Sequence, residues 1–98
     1  MIYIFDLDGT LCETEDGDYK RAVPYRERIA EVNRLSAEGH TVFVSTARSA
    51  HWKELTRRQL LEWGVMHNGF SVGDKPFGHI YVDDRAINAR DFLSLIHI

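Results

Sequence analysis

The chain reads as an α/β protein: a Rossmann-like three-layer α/β/α sandwich with a mostly parallel sheet. Three observations predict this. Short apolar, β-rich runs alternate with helical stretches of 3.6-residue periodicity, which implies a parallel sheet joined by right-handed crossovers. The first run, residues 2–5 (IYIF), is apolar at every position, as suits a central strand covered on both faces. Finally, acidic or hydroxyl residues stand directly after the runs, where open parallel sheets bind their ligands.

The first strand ends at Asp6-Leu7-Asp8-Gly9-Thr10-Leu11, and Glu13-Thr14-Glu15-Asp16-Gly17-Asp18 follows as an exposed acidic loop. Pro24 suits the first turn of a helix whose apolar face is Tyr25, Ile29, Val32 and Leu35, with Gly39 just past its end. Residues 41–45 (TVFVS) make a second buried strand. A second helix is predicted from about Trp52 to Trp63, with Leu55, Leu60, Leu61 and Trp63 available for burial and Gly64 as its stop. A weak strand is predicted at 65–67, a short apolar one at 80–82, and a last helix over 86–92.

The 98 residues fit one domain, assigned to 1–92. The terminal hexapeptide 93–98 (LSLIHI) is also what reading through a common transposase-type sequencing adapter would encode, so it is set apart as a tail of doubtful origin. Hydrophobic residues are 44% and charged residues 28% of the chain, a globular balance. With 12 Lys and Arg against 15 Asp and Glu, the formal charge is −3, and no basic excess points to nucleic acid. No apolar run approaches the roughly 20 residues of a membrane span. Neither a secretory signal nor a second cysteine beside Cys12 is present, so a reducing cytoplasm is the expected compartment.

The polar residues at the predicted strand ends are Asp6 and Asp8, Thr46, and Asp83-Asp84, with Lys75 ahead of the last strand. Carboxylates crowded at one rim repel unless a cation joins them, and Mg²⁺ accepts one or two hard oxygen ligands per strand end while keeping waters. Each pair also has a plain structural reading: Asp8-Gly9 as a turn, Asp84 as a helix cap.

Asp6-Leu7-Asp8-Gly9-Thr10-Leu11 resembles the first motif, D-x-D-G-T, of the haloacid dehalogenase superfamily. Val44-Ser45-Thr46-Ala47-Arg48, Lys75-Pro76 and Ile80-Tyr81-Val82-Asp83-Asp84 resemble its second, third and fourth motifs, in order. The resemblance implies a Mg²⁺-dependent phosphomonoesterase in which Asp6 attacks phosphorus and Asp8 is acid and then base. Lys75 and Thr46 would steady the transferring group, and Asp6, the Asp8 carbonyl and Asp84 or Asp83 would hold the metal. Gly9, Thr10, Ser45 and Arg48 are the candidate substrate contacts, although an Arg at such a place also pairs readily with a nearby carboxylate.

Gly17-Asp18-Tyr19-Lys20 and Ala22-Val23-Pro24 extend the likeness to small phosphatases of capsular polysaccharide biosynthesis, from which this chain departs by a shorter stretch between Arg48 and Lys75. No insertion large enough for a cap domain follows the first or third motif, so the expectation is either self-association that covers the site or loose selectivity among phosphomonoesters. The expected substrate is a small phosphorylated metabolite such as a sugar phosphate. A nucleotide or polynucleotide-end phosphatase and a Mg²⁺-holding interaction domain without turnover are the alternatives. The five histidines lack zinc-type spacing, Trp52 and Trp63 read as core, and Cys12 has no histidine to activate it.

Overall fold

The computed structural model describes residues 1–73 and 80–82, the last three by backbone alone. Among the described residues, four parallel strands form the sheet: β1 (Ile2–Asp6), β4 (Thr41–Thr46), β5 (Gly69–Val72) and β6 (Ile80–Val82), in the order β5-β4-β1-β6. A separate two-stranded antiparallel ribbon joins β2 (Cys12–Glu13) to β3 (Val23–Pro24). Helix α1 (Arg26–Ala37) connects β3 to β4, and α2 (Lys53–Glu62) connects β4 to β5. The fold is Rossmann-like, as expected, and β1 is an interior strand.

Alternation on the strands sets the core. Tyr3 and Phe5 of β1 lie beside Val42 and Val44 of β4 in register, and all four are buried. Ile29, Val32 and Leu35 of α1, at spacings of three, close over them with Leu60 of α2. Ile4 is buried on the other face of the sheet, as an all-apolar central strand requires. The predicted helix at 86–92 and the tail at 93–98 lie outside the described residues.

Two boundaries and one burial differ from the sequence reading. Pro24 is not in the first turn of α1. It pairs with Cys12 in the ribbon, and the Tyr25 amide donates to the Leu11 carbonyl, so the helix begins at Arg26. The strand predicted at 65–67 is β5 at Gly69–Val72 instead. Residues 64 and 65 are used in stopping α2: Gly64 takes φ +68°, its amide donates to Leu61 O, and the Val65 amide reaches Leu60 O. The Met66 amide is then held by Asn33 Oδ1 at 2.7 Å. Leu61 is 70% exposed, because the buried stripe of α2 runs through Thr56, Gln59 and Leu60. Adjacent helical residues point about 100° apart.

The contrast between neighbours is testable. Leu60→Ala should cost about 2–5 kcal/mol, the range for emptying a buried leucine site. Leu61→Ala should stay within about 0.5 kcal/mol of the parent. Urea unfolding of the two variants checks both.

Candidate active site

Asp6 ends β1 and stands opposite Ser45 in the register with β4, half-buried at the carboxyl edge of the sheet. Beyond it the chain turns tightly. The Leu7 carbonyl accepts the amides of Thr10, Leu11 and Cys12 at 3.2, 2.8 and 3.2 Å, while Gly9 adopts φ +88° and donates to Cys12 O. That left-handed conformation is one a side chain disfavours, so glycine suits the position. Arg28 of α1 ties down the outside of the turn through the carbonyls of Gly9 and Thr10, at 3.3 and 3.1 Å. Thr10 is fully buried, and its hydroxyl finds no hydrogen-bond partner among the described residues.

The turn presents Asp8 to four neighbouring side chains. Arg48 grips both carboxylate oxygens, Nη2 to Oδ1 at 2.8 Å and Nε to Oδ2 at 3.0 Å. Thr14 donates to Oδ1 at 2.6 Å and Thr46 to Oδ2 at 3.3 Å, with Cys12 Sγ 3.5 Å from Oδ1. The Thr46 hydroxyl also accepts the Arg48 amide at 3.1 Å, which joins the end of β4 to the same cluster. Burial alone would raise the Asp8 pKa. Hydrogen bonds from Arg48 and Thr14, with the Arg48 charge, outweigh it and hold the carboxyl below its ordinary value.

Arg48, expected as a substrate contact or a carboxylate's partner, is 1% exposed and is an internal partner of Asp8. Its Nη1 donates to Thr56 Oγ1 at 3.2 Å and Gln59 Oε1 at 2.7 Å, and its guanidinium carbon lies 4.5 Å from the centre of the Tyr19 ring. Ser45 and Thr46 are buried at the end of β4. Cys12 is buried too; desolvation and then the adjacent Asp8 charge push its thiol up to about 12, which removes it as a nucleophile. Lys75, Asp83 and Asp84 lie outside the described residues. Among those described, no group of three His, Cys, Asp or Glu side chains is placed to hold a metal.

Sequence reasoning missed Thr14, Thr56 and Gln59. The last two carried a faint signal, polar residues three apart on the helical face that continues to Leu60 and Trp63. Around the ribbon, Glu13, Glu15, Asp16, Asp18, Arg21 and Val23 line an open pocket of about 350 Å³ whose charge is predominantly negative.

The Asp8–Arg48 pair is asymmetric, since Asp8 keeps 27% side-chain exposure and Arg48 none. Asp8→Ala strands a buried guanidinium and should cost about 3–5 kcal/mol. Arg48→Met should cost less, because the remaining carboxylate still reaches water. Urea unfolding at neutral pH ranks them. The lowered pKa gives Asp8 a stabilising contribution that is present above the unfolded carboxylate value and lost as pH falls through the folded one, so the gap between parent and Asp8→Ala narrows in acid.

No curated protein matches the chain significantly. Among solved structures, a structural-genomics target from Vibrio cholerae is 28% identical, covering 99% of this chain and 94% of that one, with TM-score 0.72. A chain of the Pnkp1/Rnl/Hen1 complex shares the fold at 22% identity and TM-score 0.66, over 96% of this chain and 34% of that one. So does the D,D-heptose 1,7-bisphosphate phosphatase of B. bronchiseptica, solved with magnesium and phosphate, at 16% identity and TM-score 0.55, over 99% of this chain and 64% of that one. The family profile of haloacid dehalogenase-like hydrolases matches residues 3–98. With nearly its whole length under that profile, the protein belongs to the haloacid dehalogenase-like hydrolases.

Proposed function

We propose that the protein is a Mg²⁺-dependent phosphomonoesterase that works through an aspartyl-phosphate on Asp6 and acts on a sugar phosphate or similar small metabolite. The observation that carries this reading is the second carboxylate. Asp8 stands two residues beyond the nucleophile at the end of the central strand, oriented by Arg48, Thr14 and Thr46. A domain that only bound a ligand would have no use for an acid and base held in this way.

The donors fit Mg²⁺. Asp6 and the carbonyl of Asp8 are hard oxygens, and a cation that keeps several waters needs few protein ligands. Asp84 or Asp83 would complete the set. The bound ion would neutralise charge on the phosphoryl oxygens. Everything else falls to the chain. An Asp6 oxygen forms a bond to phosphorus as the ester oxygen leaves, and that oxygen takes a proton from Asp8. Water then attacks phosphorus, gives its proton to Asp8, and frees Asp6 and inorganic phosphate. A phosphate dianion entering beside Asp8 adds like charge and competes for Thr46, and both effects raise the proton affinity that Arg48 holds low beforehand. Lys75 and Thr46 would share the equatorial charge.

Support for a small substrate comes from the rim. The acidic loop reaches Asp8 through Thr14, and its carboxylates disfavour a long polyanion. The likeness of residues 17–24 to capsule-type phosphatases points to a sugar phosphate.

Asp6→Asn should lower turnover by at least about 10³-fold, since an amide cannot form the phosphoenzyme. Acid-quenched incubation with labelled substrate should trap phosphate on the parent and not on the variant. Asp8→Asn should slow alkyl phosphates by about 10²–10⁴-fold and activated aryl phosphates much less. Equal losses on both, with chemistry rate-limiting, would remove Asp8 from the acid role.

A further inference from the structure

The carboxylate that would handle the proton is held by a guanidinium, and the guanidinium is itself held by Gln59. Gln59 is only 5% exposed although it lies on a helix rich in charge. Its Oε1 accepts from Arg48 Nη1 at 2.7 Å, and its Nε2 donates to the Tyr19 carbonyl at 2.6 Å. Chemistry fixes this orientation of the amide, because a guanidinium can only donate and a carbonyl can only accept. Tyr19 is therefore held twice, by its carbonyl through Gln59 and by its ring against Arg48, with the Trp52 ring set edge-on at 5.4 Å. One neutral side chain thus touches both the loop after β2 and the partner of Asp8.

We propose that Gln59 is a positioning residue: by bridging the Arg48 guanidinium and the Tyr19 carbonyl, it sets the aim of the Asp8 carboxylate and pins the 14–22 loop beside the same site. It touches neither phosphate nor metal and acts only through Arg48 and the loop. Productive geometry has to hold to within about 0.5 Å and 10–20°, and an Arg48 that has lost the closer Nη1 acceptor, Gln59 at 2.7 Å, and keeps only Thr56 at 3.2 Å is less firmly confined to one rotamer. The catalytic part of this inference rests on the reading of Asp8 as acid and base; the clamp itself does not.

Two variants of the full chain separate the two halves of the bridge. Gln59→Met removes both hydrogen bonds at similar volume. Gln59→Glu keeps an acceptor for Arg48 and loses the donor to Tyr19. Trypsin cleavage after Lys20 and Arg21 should accelerate about tenfold in both, because both release the Tyr19 carbonyl. Hydrogen exchange of the Arg48 Nε–H, followed by ¹⁵N NMR, should accelerate about tenfold in Gln59→Met alone. In turnover, Gln59→Met should lower kcat for an alkyl phosphate about tenfold, and for an activated aryl phosphate less than about threefold, with KM within about twofold. Gln59→Glu should keep kcat within about threefold of the parent.

Unchanged trypsin cleavage and arginine exchange in both variants would overturn the clamp whatever the activities. Equal kcat losses on the two esters, or equal losses in the two variants, would overturn the positioning role. If the parent hydrolyses neither ester, the phosphatase reading falls, while proteolysis and exchange still decide the clamp. Should Gln59→Met not fold, Gln59→Glu decides alone: faster cleavage with unchanged arginine exchange supports the bridge, and any other result refutes it.

Discussion

The two-pronged ion pair between Asp8 and Arg48 is the contact around which the site is organised. A guanidinium with no solvent exposure has lost its hydration, a penalty of several kcal/mol that only close, well-aimed acceptors offset. Asp8, Thr56 and Gln59 are those acceptors, and they come from three places in the chain: the turn after β1 and two successive turns of α2. Satisfying one cation therefore fixes how the helix sits against the strand ends. The need is strict because arginine cannot shed its proton to escape the interior.

That requirement also orders the surroundings. The Thr56 hydroxyl donates to the Trp52 carbonyl at 2.8 Å while accepting from Arg48, so the short 3₁₀ turn Ala50–Trp52 is joined to the first turn of α2 and to the ion pair together. Thr46 plays the equivalent part on the strand side, taking the Arg48 amide and giving its proton to Asp8. Each hydroxyl acts as donor and acceptor at once, which lets small side chains complete a buried polar network that would otherwise leave orphaned groups. Cys12 sits in the same cluster as a neutral thiol, adding volume without adding charge.

The sequence made some features legible and hid others, for physical reasons. An all-apolar run such as 2–5 has few places to go except an interior strand, and Gly39 and Gly64 mark helix ends because few other residues tolerate the left-handed backbone found there. The aspartates at 6 and 8 could be placed at the sheet edge from the end of that run. Pro24 misled because proline serves a helix start and a strand without a paired N–H equally well. The short strand near 65 was misplaced since a helix stop consumes apolar residues as a strand does. Thr56 and Gln59 were hidden by their polarity: on a helix, hydroxyl and amide side chains ordinarily face water, and only a buried cation elsewhere in the chain turns that rule around. The burial of Arg48 is a tertiary fact that no local pattern around positions 44–48 expresses.

Asn68 has a consequence for the whole sheet. Its amide donates to the Val42 carbonyl at 2.7 Å, and its side-chain oxygen receives the Val42 amide at 2.9 Å, so one asparagine answers both hydrogen-bonding groups of a neighbouring strand residue. It behaves as a peg at the foot of β5. From there, Phe70 falls opposite Val44 and packs on the core, and Val72 falls opposite Thr46. A strand of four residues carries little pairing energy with which to choose among alignments, and a slip by one would turn its outward side chains inward. The peg resolves that ambiguity before the ladder begins, and the register of β5 is thereby counted from a side chain instead of from its own length.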